Sequence, residues 1–217
     1  EMCIRDSCNA PFLNNQKPYM ILRCKRKGWY LGENMYVWLA AFLYMLFISL
    51  ISLIAVLPTV STNRLWGEIA GDFVVNQRSL IPVYTWGLVM PVRVIQNYYP
   101  LAAFMYTFIT GWLSIVFIGK LMYLLNLKIG KKTIGISAAV FFIMLDPVAV
   151  YFTNFKKYGL FYVSPINWSS LENINTVSGY PHLSGEYMFI MYLILIGVES
   201  LLSYICSIKM DIEIKIV

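Results

Sequence analysis

Histidine is nearly missing from this chain, charge is scarce and paired cysteines do not occur, and each gap removes a class of function. His182 is the only histidine among 217 residues, so zinc motifs such as H-E-x-x-H have no material. The four cysteines, Cys3, Cys8, Cys24 and Cys206, show no C-x-x-C spacing. That leaves neither a metal knuckle nor a disulfide framework. No Walker-type phosphate loop and no G-x-S-x-G elbow is present. The chain therefore offers no catalytic residue, metal ligand or cofactor site to name, and it reads as a non-enzyme.

Charged residues make up only 13% of the sequence, against 59% hydrophobic. A soluble domain carries roughly 25% charged residues. The apolar residues also lie in long uncharged runs, where a soluble core would disperse them. About 20 such residues are needed to span a bilayer as a helix, the only open-ended element whose backbone satisfies its own hydrogen bonds there. Four runs qualify: 36–57, closed by Pro58; 101–125, opened by Pro100 and carrying Lys120; 133–152, with Asp146-Pro147 placed to end the helix; and 187–208, with Glu199 inside it. The expected fold class is all-α, a polytopic helical membrane protein with about four transmembrane helices. Its expected segments are 8–35, a cytoplasmic basic juxtamembrane stretch; 36–208, the transmembrane domain; and 209–217, a cytoplasmic tail. The tail alternates Ile208, Met210, Ile212 and Ile214 with charged residues, a period of two that suggests an extended end.

The net charge of +6 comes from 17 basic against 11 acidic residues. They form no single stripe of the kind that binds nucleic acid. They cluster beside the apolar runs instead: Lys17, Arg23, Lys25, Arg26 and Lys27 before the first, and Lys128, Lys131 and Lys132 between the second and third. Dense basic clusters face the cytoplasm. Both ends of the visible chain are then cytoplasmic, as an even number of spans requires. Each outer loop holds a shorter apolar stretch, Ser79–Val92 and Tyr158–Leu171. Runs of that length are interfacial or re-entrant, or ordinary loops with some apolar residues.

Three features stand out as sites. Glu199 lies inside a span, where a carboxylate is costly and usually faces a bundle interior; a role in a pathway or in packing stands beside a protonated or headgroup-reaching reading. Lys120 is the other intramembrane charge. Counted from the outer ends of their spans, the two differ by about 10 Å in depth at 1.5 Å per residue, so a pairing requires the helices to be offset. The alternative for Lys120 is to snorkel to the cytoplasmic headgroups. Third, Arg23, Lys25, Arg26 and Lys27 form either a topology signal touching anionic headgroups or a short helix that docks a partner. The stretch "GISA", Gly135–Ala138, is faintly similar to the serine motif of rhomboid proteases, but that chemistry needs a histidine base in a neighbouring span. Small residues here serve close helix approach instead. The sequon "NWS" at Asn167–Ser169 is too common a pattern to weigh.

Taken together, "APFLNNQKPYMILRCKRKGWYLGENMYVW", "IPVYTWGLVMPVRVIQNYYPLAAF" and "YVSPINWSSLENINTVSGYPHLSGEY" resemble membrane proteins of low-GC Gram-positive bacteria that look like permease subunits of type-two ABC exporters. The resemblance implies six spans with both termini inside and a cytoplasmic segment that couples to a separate ATPase. It also implies a homodimer or paired permease, and short helices dipping into the membrane in the last outer loop. The four runs would match spans three to six, Tyr19–Asn34 the coupling segment and Tyr158–Leu171 the re-entrant one; Ser79–Val92 departs from that pattern as a long outer insertion. Residues 1–7, "EMCIRDS", resemble a translated sequencing-library adapter, which would make the chain an N-terminally truncated fragment. A stand-alone four-span accessory or immunity protein, starting at Met20, is the alternative.

Overall fold

The computed structural model describes residues 17–56, 92–129, 132–153, 162, 164–171 and 184–209. Residues 1–7, most of the Ser79–Val92 stretch, His182 and the alternating tail beyond Lys209 lie outside them. The elements are α1 (Lys17–Val56), the short α2 (Val92–Asn97), α3 (Pro100–Ile129), α4 (Lys132–Thr153), a 3-10 turn (Asn167–Ser169) and α5 (Gly185–Lys209). No strand occurs among the described residues, so the chain is all-α. Three helices, Ile21–Ala55, Pro100–Ile129 and Gly185–Lys209, are long and apolar enough to cross a bilayer, and Thr133–Leu145 adds a shorter apolar one. The protein is a multi-pass membrane protein.

Local chemistry sets the helix ends. Pro100 takes the first position of α3, where its missing N–H costs nothing. Ser184 caps α5, accepting from the Tyr187 N–H at 3.1 Å, which satisfies one of the free donors of the first turn. α4 differs from expectation: Asp146-Pro147 does not end it, and the helix runs on to Thr153. A proline inside a helix removes one backbone hydrogen bond, a loss that membrane helices tolerate. α1 also differs. It begins well before Tyr36 and is broken at Lys25, whose φ of 59° and ψ of 160° are non-helical. The break separates a short basic helical piece from the long span behind it.

α3 is the central helix. It packs against α1, α4, α5 and the 3-10 turn. Trp29–Tyr123, Trp38–Trp112 and Phe42–Phe108 ring contacts run α1 antiparallel to α3. Tyr106–Phe189 and the Ser114–Tyr192 hydrogen bond run α5 parallel to it. The basic N-terminal piece of α1 and the C-terminal end of α5 therefore lie at one end of the bundle, where Arg26 donates to Ile208 O. The buried residues follow helical stripes. On α1 they are Trp29, Glu33, Val37 and Ala41; on α5 they are Met188, Tyr192, Ile196, Glu199, Ser203 and Ser207. The opposite faces show bare apolar side chains, such as Leu43 and Phe47 on α1 and Leu193 and Leu201 on α5. A water-soluble monomer rarely leaves so continuous an apolar surface uncovered; lipid covers it here.

Two close approaches depend on glycine. A Cβ on Gly135 would meet Met122 O at 2.9 Å, and one on Gly119 would meet Val37 Cγ1 at 3.0 Å. Gly135 thus lets α4 lie against the backbone of α3, the small-residue contact typical of membrane helices.

Candidate functional site

Three groups of polar residues stand out in this apolar frame. The first is the basic end. Ahead of the break, Ile21 turns inward to pack with Trp29, Tyr123 and Leu127. Leu22, Arg23, Cys24, Lys25 and Lys27 face outward and are exposed. Arg26 differs from its neighbours: it is half-buried and its guanidinium donates to Ile208 O. A cation there satisfies an end carbonyl of α5 and opposes the negative end of the helix dipole. So of the four residues read as a docking segment, three point outward and Arg26 fastens the segment to α5.

The second group lies deeper, between α1, α3 and α5. Lys120 is 4% exposed and Glu199 6%. They are near enough to interact electrostatically. The offset that this requires is present: α5 sits lower along α3 than a level start would place it, so that Lys120 Nζ meets and donates to Ser200 Oγ. Lys120 does not snorkel; its Nζ lies 5.6 Å from the Trp38 ring centroid, where the ring face attracts a cation. Ser200 is held from several sides. Its hydroxyl donates to Ile196 O at 2.5 Å, and its carbonyl accepts from the Tyr30 hydroxyl at 2.7 Å. Tyr123, on the same face of α3 one turn further on, is 3% exposed and interacts electrostatically with Glu33 and Tyr30.

The third group is at the opposite end. Residues 164–171 pack into the bundle between α3 and α5, and Trp168 is 1% exposed. Trp168 stacks edge-on against Tyr192 and Tyr187, at 5.3 and 6.1 Å between centroids. The Tyr192 hydroxyl donates to Pro165 O at 2.5 Å and lies 2.6 Å from Ser114 Oγ. Ser114 Oγ also donates to Thr110 O at 2.8 Å. Thr110 Oγ1 reaches Ser169 O at 3.4 Å. Non-helical backbone at membrane depth is tolerated only where protein surrounds it, and here two helical side chains, Tyr192 and Thr110, bond its carbonyls. Asn167 is 1% exposed, so the sequon is sealed in the fold.

Sequence reading finds Lys120 and Glu199 but misses Glu33, which lies ahead of the apolar run 36–57. Its signal is present: Trp29, Glu33 and Val37 recur every fourth residue, the spacing of one helical face. It also misses Tyr192, Ser114 and Trp168, because nothing in the sequence says which hydroxyls meet which carbonyls. Among the described residues no cluster of side chains is suited to hold a metal ion. Comparison with protein families, curated proteins and solved structures gives no match.

Proposed function

We propose that this chain is the membrane-spanning subunit of an ABC-type exporter, working with a separate ATPase and binding no nucleotide itself. The observation that carries this reading is the basic helical piece set off by the break at Lys25. One side of it, Ile21, is clamped on the bundle. The other side presents Leu22 and Arg23 outward, with Lys25 at the break and Lys27 just behind it also exposed, an apolar residue beside cations that suits an acidic groove on a soluble partner. Arg26, the first residue behind the break, ties the start of the span to the last turn of α5, so a push on the piece reaches both spanning helices at that point. In this reading the basic end faces the cytoplasm, and 164–171 is the re-entrant element of the outer side.

The test has two steps. Sequencing of the native locus, from a library made without transposase, is expected to show further spans upstream and an ATPase encoded alongside. Co-expression with that ATPase then compares the native chain with a triple variant, Arg23→Gln, Lys25→Gln and Lys27→Gln. The variant is expected to insert normally and lose ATPase capture. Unchanged capture with unchanged transport removes the docking assignment. A frame that opens at Met20, with no ATPase nearby, makes the chain a stand-alone four-span accessory or immunity factor instead.

A further inference from the structure

The hydroxyls around the 3-10 turn are hydrogen-bonded to backbone carbonyls and hold that turn in place. The deeper set between α1, α3 and α5 closes differently. Glu199 is buried, and its Oε2 has no hydrogen-bond partner. Lys120 lies near enough to feel its charge, yet the amine donates to Ser200 and sits over Trp38.

A buried carboxylate with an unsatisfied oxygen is costly, and in a membrane no water relieves it. The same group carrying a proton is neutral and gains an O–H to donate. Lys120 has three N–H donors, and Ser200 takes one. The pair therefore has two self-consistent arrangements: a neutral Glu199 with Lys120 held on Ser200 and Trp38, and an ionised Glu199 that draws the ammonium to itself.

From this we propose that Glu199 is a proton-binding site inside the bundle, with Lys120 as its counter-cation, and that gain or loss of one proton moves Lys120 between Ser200 and the carboxylate. The step balances: a proton from water adds to a carboxylate oxygen of Glu199, giving the neutral acid, while Lys120 keeps its own proton throughout. From α1, Trp38 lies under Lys120 and Tyr30 bonds the residue next to Glu199; Glu33 and, from α3, Tyr123 lie beyond Tyr30. Tyr30 bonds Ser200 O and interacts with Tyr123, which interacts with Glu33. Ser200 is the point where α3 and α1 both grip α5, through Lys120 and Tyr30, so the switch acts on the seating of that helix. The inference goes beyond the exporter reading and holds with or without an ATPase.

Infrared difference spectroscopy on the full chain in lipid nanodiscs, stepped from acidic to alkaline buffer, tests it. The expected result is a carboxylic-acid C=O band at the high frequency of a buried acid, distinct from solvated carboxyls. That band is lost in Glu199→Gln and retained in Glu33→Gln. In Lys120→Met it persists about one pH unit or more further into alkaline buffer, because the cation that favours the carboxylate is gone. A band that survives Glu199→Gln, or that disappears in Glu33→Gln instead, overturns the assignment, as does a native chain with no buried-acid band. If Glu199→Gln does not insert, Glu199→Asp replaces it: the band frequency shifts if Glu199 carries the proton, and an unshifted band overturns the proposal.

Discussion

Tyr192 is 0% exposed, and its hydroxyl is the middle of a chain from Ser114 to Pro165 O. Removing that hydroxyl leaves a buried carbonyl with one partner fewer. Tyr192→Phe is expected to lower stability by about 1 kcal/mol, the usual size for a hydrogen bond between membrane-protein groups. Denaturant titration in mixed micelles measures it. With Ser114→Ala, the double mutant is expected to cost less than the sum of the singles, because both remove the same bond; strict additivity shows that the two residues act separately. Gly135 gives a sharper case. Gly135→Leu places carbon where Met122 O lies 2.9 Å from the first added atom, and overpacking of this kind costs about 1–3 kcal/mol. The expected outcome is a clearly lowered thermal midpoint in detergent; an unchanged midpoint shows that α4 yields without strain. At this scale the sequence is half-readable. Charge inside an apolar run flagged Lys120 and Glu199, and four-residue spacing contained Glu33. Hydroxyl partners such as Ser114 and Tyr192 depend on how two helices slide past one another, and local sequence holds no record of that.

At the scale of elements, the break at Lys25 is the least expected feature. Its backbone angles fall in a region that only glycine occupies without strain, at a cost of about 1–3 kcal/mol for other residues. Lys25→Gly is expected to stabilise the chain by about 1 kcal/mol in the same titration, and Lys25→Val to destabilise it, since a β-branched residue tolerates positive φ least. If the two variants match the native chain, the break carries no strain. Nothing in "RCKRKG" announces a break at the lysine, because Gly28 is the residue that local rules would choose. The structure instead places the bend where Ile21 can pack beside Trp29, so tertiary packing decides. The four apolar runs were legible, because length and lack of charge alone determine what a bilayer accepts. Their ends were less so. α4 passes through Asp146-Pro147, and α1 extends far ahead of Tyr36 because Trp29 and Glu33 bury against the bundle.

At the scale of the whole molecule, the parallel and antiparallel contacts bring the basic piece of α1 and the end of α5 to one end, and 164–171 to the other. Thiol labelling reads this directly. In a chain whose other cysteines are replaced by serine, an impermeant maleimide is expected to reach the exposed Cys24 only from the cytoplasmic face. Ser170, exposed at the opposite end, is expected to label as Ser170→Cys only from outside. Labelling of both from the same face sinks the orientation given by the basic clusters.

The central place of α3 also bears on how the chain is made. α3 leaves the ribosome before α5, and until α5 arrives Ser114 and Lys120 lack the Tyr192 and Ser200 hydroxyls that meet them, with α1 covering Lys120 only through the Trp38 ring. An isolated helix bearing a lysine and several hydroxyls partitions poorly into hydrocarbon. The biosynthetic consequence is that α3 stays beside the insertion machinery, shielded from lipid, until α5 is released and the two leave together. Assembly of this bundle is thus governed by α5, and any nascent chain cut short before Gly185 presents an α3 with one polar face open to the cell's quality-control proteases.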